Sequence, residues 1–146
     1  MIQGSARVID GDTLQVDGKR VRLFAIDAPE IKQTCTDKRG FDYTCGRAAA
    51  RALQTAVGHS PVLCTSRQLD QYGRTVAECH NSQRQDLGHL MVAKGHAIAY
   101  SRYSNKYVLD ETKAKQQKLG IWQGKFEIPA TWRKKQHDLQ SDKSDL

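Results

Sequence analysis

Apolar and polar residues alternate through the first third of the chain, ARVIDGDTLQVDGKRVRLFAID. A period of two sustained over that length predicts strands with one buried face. Thr13-Leu14-Gln15-Val16 and Arg20-Val21-Arg22-Leu23-Phe24 are separated by Asp17-Gly18, a pair that tolerates the positive φ of a type I′ turn, so a hairpin is expected there. The pattern is lost over residues 31–46, which are polar, contain Gly40 and read as a loop. Residues 46–57 are alanine-rich, repeat apolar positions at three and four, and stop at Gly58, the signature of an amphipathic helix. Residues 61–64 and 75–79 are strand-like on either side of the turn Asp70-Gln71-Tyr72-Gly73-Arg74. Asp86 can cap a short helix through Leu87, Leu90 and Met91, ended by Gly95, and residues 97–100 make a brief strand. A last helix is expected from about 105 to 119, with Val108, Thr112, Lys115 and Leu119 on one face and Gly120 as its stop. Beyond Trp132 the run RKKQHDLQSDKSDL has no apolar period and reads as a solvated, frayed tail. Five short strands with three interleaved helices predict an α+β fold built on a five-stranded OB-type β-barrel.

A chain of 146 residues is one domain by the usual size range and long enough to bury its own core. The expected organisation is a domain over 1–133 and a polar tail over 134–146. No apolar run reaches the roughly 20 residues that span a bilayer, and MIQGSARV lacks the apolar stretch of a signal peptide, so a soluble protein with no membrane partner is expected. The formal net charge of +7 favours polyanionic partners, nucleic acid foremost.

Against that basic background stand four acids in two short segments, Asp10 and Asp12 in IDGDT, and Asp27 and Glu30 in AIDAPE. Asp12 heads one strand and Asp27 ends its hairpin partner, so the two can converge into a site for a hard cation such as calcium, which takes oxygen ligands. The order of acids rules out an EF-hand. The four cysteines form no CxxC pair. Cys35 and Cys45 flank the polar loop, while Cys64 and Cys79 lie on two runs joined by a turn, so pairings 35–45 and 64–79 make a two-disulfide framework suited to an oxidising compartment, with buried free thiols the alternative. A zinc site with His59, His80 or His89 is disfavoured by the spacing.

IDGDT, then VRLFAIDAPE, then DQYGR, then a late helix ending KLGIW resembles, in that order and over roughly residues 5–133, the staphylococcal-type nucleases or thermonucleases. The resemblance implies a five-stranded OB-type barrel with three helices, and a calcium-dependent phosphodiesterase that cuts both DNA and RNA and leaves 3′-phosphate ends. It implies direct calcium ligation by Asp12 and Asp27, with Asp10 nearby and the carbonyl of Ala28 completing the shell, although the family usually has threonine at that position. Glu30 matches the carboxylate that orients or deprotonates the attacking water, and Arg22 and Arg74 match the arginines on the scissile phosphate. Tyr72 matches a phosphate contact, Gln71 stands where the reference nuclease has lysine, and Tyr100 or Tyr103 supplies the base-side tyrosine. The insertion with Cys35 and Cys45 has no counterpart in the cysteine-free reference enzyme.

The chemistry asks for these residue types. Phosphodiester hydrolysis builds charge on the phosphoryl oxygens, which arginine forks and a divalent cation stabilise. Each residue also has an ordinary structural use: Asp10 can cap its turn, Arg22 can be a solvated strand residue, 70–74 can be a plain hairpin turn, and Trp122 and Trp132 can dock helices. A catalytically silent OB-fold module that only binds nucleic acid or a partner would lack several of Asp12, Arg22, Asp27, Glu30 and Arg74, and all five are present. The expectation is a secreted or periplasmic monomeric nuclease with no obligate protein partner.

Overall fold

The hairpin forms around Asp17 and Gly18, both at positive φ (50° and 75°) as a type I′ turn requires. Leu14, Val16, Val21 and Leu23, the alternate residues of its strands, are the centre of the core. In the computed structural model, which describes residues 1–144 and side chains as far as 140, these strands are β3 (Thr13–Val16) and β4 (Lys19–Leu23). Before them run β1 (Ile2–Gly4) and β2 (Ala6–Asp10). After them come β5 (Ile26–Asp27), β6 (Cys35–Thr36), β7 (Asp42–Tyr43) and helix α1 (Cys45–Val57). The second half holds β8 (Val62–Leu69), β9 (Thr75–His80), α2 (Leu87–Ala93), β10 (Ile98–Ala99), α3 (Val108–Gln116), a 3-10 turn (Gly120–Gln123) and α4 (Pro129–Ser144).

The fold is α+β, but the sheet is larger than the five-stranded barrel expected. Six strands pair in the order β1-β8-β9-β4-β3-β2 and the ladder ends at β1 and β2 without closing. The extra strand arises because the N-terminal segment changes partner at Ser5: residues 2–4 pair with β8 and residues 6–10 with β3. β4 runs parallel to β9, Arg22 opposite Val76, and this single parallel pairing joins the two hairpins. β8 extends to Leu69, beyond the expected strand, because β9 supplies a partner for polar residues that have no buried face. Cys64 and Cys79 stand opposite each other on β8 and β9 and are bonded, as are Cys35 and Cys45, so both expected disulfides form.

Helices also depart from expectation. There are four α-helices among the described residues where three were expected. α1 ends at Gly58 (φ 68°) and Asp86 caps α2 through the amides of Gly88 and His89, as anticipated. α3 is shorter than 105–119, because Lys118 turns left-handed at φ 54°. Its inner face is Ala114, not Val108, Thr112, Lys115 and Leu119, and the main anchor is Tyr107 just before it, buried with its hydroxyl donating to Asp86 at 2.7 Å. The expected tail is instead α4: Pro129, free of the amide that a first helical position does not need, starts it, and Pro129, Trp132 and Gln136 form its inner edge. The last two tail residues, 145 and 146, lie outside the described residues.

Two close approaches fix the site segments. A Cβ on Gly11 would press on the Cβ atoms of Ala28 and Ala49, both at 2.7 Å, so only glycine lets the Asp10–Asp12 turn lie on α1. A Cβ on Gly46 would overlap the carbonyl of Glu30. Gly46→Ala must therefore push the Glu30 loop off the start of α1; urea denaturation should show a loss of about 2 kcal/mol or more, as for other overpacked buried sites. Gly40→Ala, with open space around it, should cost only the left-handed backbone, about 1–2 kcal/mol.

Candidate active site

Asp12 and Asp27 are buried, 4% and 1% exposed, at the ends of two different strands. β4 carries Arg22 between them: its Nη1 lies 3.3 Å from Asp12 Oδ2 and its Nη2 3.3 Å from Asp27 Oδ1 and from the Ile26 carbonyl. Ala25, left-handed at φ 62°, makes the sharp bend from β4 to β5 that turns Asp27 back toward Arg22. β10 then clamps β5, with Ile98 opposite Asp27 and the Tyr100 amide donating to the Ala25 carbonyl at 2.8 Å. Asp12 is held further by the amide of Ala28 (2.9 Å) and the hydroxyl of Thr13 (3.1 Å). Asp10 does cap the turn, accepting the Asp12 amide at 3.1 Å, and also faces the pocket. Its turn-capping and site roles are thus compatible.

These groups line one pocket of about 470 Å³. Glu30 lines it too. Its amide donates to Oε1 of Gln33, and Gln33, wholly buried, donates in turn to the Glu127 carbonyl at 2.8 Å. The 70–74 turn lines the pocket as well and is more than a hairpin connection. Asp70 accepts the amides of Tyr72 and Arg74 at 2.9 Å and the Arg74 Nε at 2.6 Å, which fixes the guanidinium at the pocket. Arg74 also lies over the ring of Tyr72, 5.7 Å from its centroid. Tyr72 is 75% exposed and borders the pocket beside Gln71. Both Tyr100 and Tyr103 reach the same rim, their rings edge to face at 5.0 Å. Trp122 packs with Phe126 near the Cys35–Cys45 bond, away from the pocket. Ala28 is buried and contributes its amide to Asp12.

Two arginines escaped the sequence reading. Arg133, assigned there to a solvated tail, reaches into the pocket from α4, pairing with Glu30 and lying 3.5 Å from Asp27. Arg102 lines the rim between Tyr100 and Tyr103. For Arg133 a signal was available, since Ile128-Pro129 is a helix start and Arg133 lies one turn on, beside Trp132. For Gln33 there was none.

Burial, then the neighbouring Asp12 carboxylate, raises Asp10 to about 7 and Asp27 to about 6. Burial works on Asp12 in the same sense, but Arg22 and the donors around it hold its carboxyl below the usual range. With all three carboxyls ionised the pocket would hold more negative charge than Arg22 alone balances, and two of them are pushed toward the neutral form. Among the described residues no three His, Cys, Asp or Glu side chains stand together as a formed metal cluster, since Arg22 lies between the two aspartates. The donor set is nevertheless all oxygen, and its excess of buried carboxylate fits a hard divalent cation.

The model of the family described as staphylococcal nuclease homologue matches residues 20–124. The chain belongs to this family. Among curated relatives it is similar to an uncharacterized endonuclease of Escherichia coli O157:H7, 35% identical with 87% of this chain and 81% of that one covered. It is similar also to the micrococcal nuclease of Shigella flexneri, at 30% identity over 88% and 78%. The succinoglycan biosynthesis protein ExoI of Rhizobium meliloti is 39% identical, covering 86% and 67%. The matched segment of the nuclease family contains Arg22, Asp27, Glu30 and Arg74 but stops before α4 and Arg133.

In the metal-free protein, Asp10 and Asp27 titrate near 7 and 6 against about 3.9 in an unfolded chain. The folded form then binds more protons between about pH 4 and 7, so their contribution to stability is greatest at the acid end and is lost as pH rises through 6 and 7. In chelator, the urea midpoint should fall between pH 5 and 8, and Asp10→Asn should flatten that fall; a midpoint that rises over this range in wild type would contradict the assignment.

Proposed function

We propose that the protein is a secreted or periplasmic, calcium-dependent endonuclease that hydrolyses the phosphodiester bonds of DNA and RNA without regard to the sugar, leaving 3′-phosphate ends. Membership of the nuclease family supports hydrolysis of nucleic acid, and the observation that carries the reading is the convergence of Asp12, Asp27, Arg22, Glu30 and Arg74 on one open pocket.

Arg22 and Arg74 both line the pocket, so a phosphate bound there meets two guanidiniums, groups whose planar donors suit phosphate oxygens. Arg74 is aimed by Asp70 and Arg22 by two carboxylates, so neither has to be ordered as charge develops on the phosphoryl oxygens. Asp12 and Asp27, with Asp10 and the Ala28 carbonyl, would hold the calcium, which when bound supplies positive charge to the phosphate and acidifies water. Glu30, its backbone fixed by Gln33 and by the close approach of Gly46, would be the carboxylate that orients the attacking water or takes its proton. Tyr72, Tyr100 and Tyr103 offer hydroxyls and ring faces to an unpaired strand along the rim. Contacts of this kind fall on phosphate and ring face rather than on base edges, in keeping with cleavage that ignores sequence. Two buried disulfides suit an oxidising compartment, and no helix among the described residues is long and apolar enough to cross a membrane.

Release of acid-soluble fragments from single-stranded DNA and from RNA tests the reading. Wild type should cut both with calcium and neither in chelator. Glu30→Gln, Arg74→Ala and Arg22→Lys should each lower kcat by on the order of a hundredfold, the usual loss when one preorganised donor is removed. A wild type that binds both polymers but cuts neither under any divalent ion would make the pocket a binding site.

A further inference from the structure

We propose that Arg133 of α4 is a third phosphate-binding arginine of this pocket, whose guanidinium passes from Glu30 to the backbone phosphate of a bound single strand. The identity of the polyanion rests on the nuclease reading above. The location of Arg133 rests on the geometry alone. Its Nη1 makes both contacts, to Glu30 and to Asp27, while Nη2 and Nε make none among the described residues. The side chain is 43% exposed and borders the opening. A fork with one end engaged and the other facing a cavity has donors left for a phosphate.

Charge balance points the same way. Asp10, Asp12, Asp27, Glu30 and Asp70 face Arg22, Arg74, Arg102 and Arg133, five carboxylates against four guanidiniums. With all of them ionised the carboxylates outnumber the guanidiniums by one, and without Arg133 by two, so Arg133 lowers the repulsion that an incoming phosphate meets. The exchange is also mechanically open, because α4 touches the body along a narrow edge of Pro129, Trp132 and Gln136, with its other described residues exposed. Arg133 lies on the exposed side of that edge, so its side chain can turn from Glu30 into the opening while the helix keeps its seat. Release of Glu30 follows from the same movement, so the strand that takes the guanidinium also frees the carboxylate that the hydrolysis uses.

The test is the affinity of the full chain for a 5′-phosphorylated oligothymidylate in EDTA, from 50 to 200 mM salt, with helix content followed by circular dichroism. Arg133→Gln should bind about tenfold more weakly at the low-salt end, with a log–log salt slope reduced by about 0.7, the value of one lost phosphate contact on a single strand. Arg133→Lys should keep the slope and recover part of the affinity, as a point charge without the fork. Glu30→Gln separates this from a purely structural role: an Arg133 that only anchors α4 would be released with it and binding would weaken, whereas a phosphate-binding Arg133 is freed and binding holds or tightens. An unchanged slope in Arg133→Gln, an equal weakening in Glu30→Gln, or no binding by wild type overturns the proposal. The nuclease reading is judged apart, by cleavage in calcium. Binding that depends on Arg133 without cleavage removes that reading and keeps the contact; cleavage with a KM indifferent to Arg133→Gln does the reverse.

Discussion

One guanidinium holds the molecule's purpose and its architecture together. Arg22 projects from the middle of the sheet into a space where two buried aspartates, from the start of β3 and the end of β5, would otherwise repel each other. A buried carboxylate pair without a counter-charge costs several kcal/mol, and Arg22 meets both with one planar group. Its own charge is stabilised by the same pair, which outweighs the effect of burial. The left-handed Ala25, the clamp of β10 on β5 and the Ala28 amide on Asp12 all serve to keep that three-residue arrangement closed.

Around this arrangement the site is assembled by supports of different stiffness. The acids stand on strands and on a turn pressed against α1, where even a methyl group on Gly11 would not fit. Glu30 is fixed at its backbone by Gln33 and by the start of α1, behind the Cys35–Cys45 bond. Arg74 sits on a turn ordered by a single carboxylate, Asp70, between strands tied by Cys64–Cys79. Arg22 is thus as fixed as the acids, whereas Arg74 stands on a turn held by one side chain.

What could be read from the sequence follows the range over which the signals act. The Asp17-Gly18 turn, the start of α2 at Asp86 and the end of α1 at Gly58 are local conformational demands, and each appears where those residues place it. The two disulfides were legible because a turn brings 64 and 79 together and a loop joins 35 to 45. The structure gathers the sequence-nominated residues Asp10, Asp12, Arg22, Asp27, Glu30, Tyr72, Arg74, Tyr100 and Tyr103 into one pocket. Less legible were features set by distant partners. β8 runs on through polar residues because β9 is there to pair with them, and the sheet has a sixth strand because Ser5 changes neighbours. For Arg133 the helix start at Ile128-Pro129 is visible nearby, but nothing near it in sequence shows that Glu30, 103 residues earlier, is its partner. Gln33 is invisible for the same reason, its bond spanning 94 residues.

That separation has a consequence for how the protein is made. Asp10, Asp12, Arg22, Asp27 and Glu30 lie within 21 residues of one another, whereas Asp70 and the remaining guanidiniums follow only at positions 70, 74, 102 and 133. Contacts so far apart in the chain form late in folding, because the intervening loop entropy has to be overcome first. An unfinished chain carries acids without most of their cations, and the complete pocket comes into being together with the finished fold.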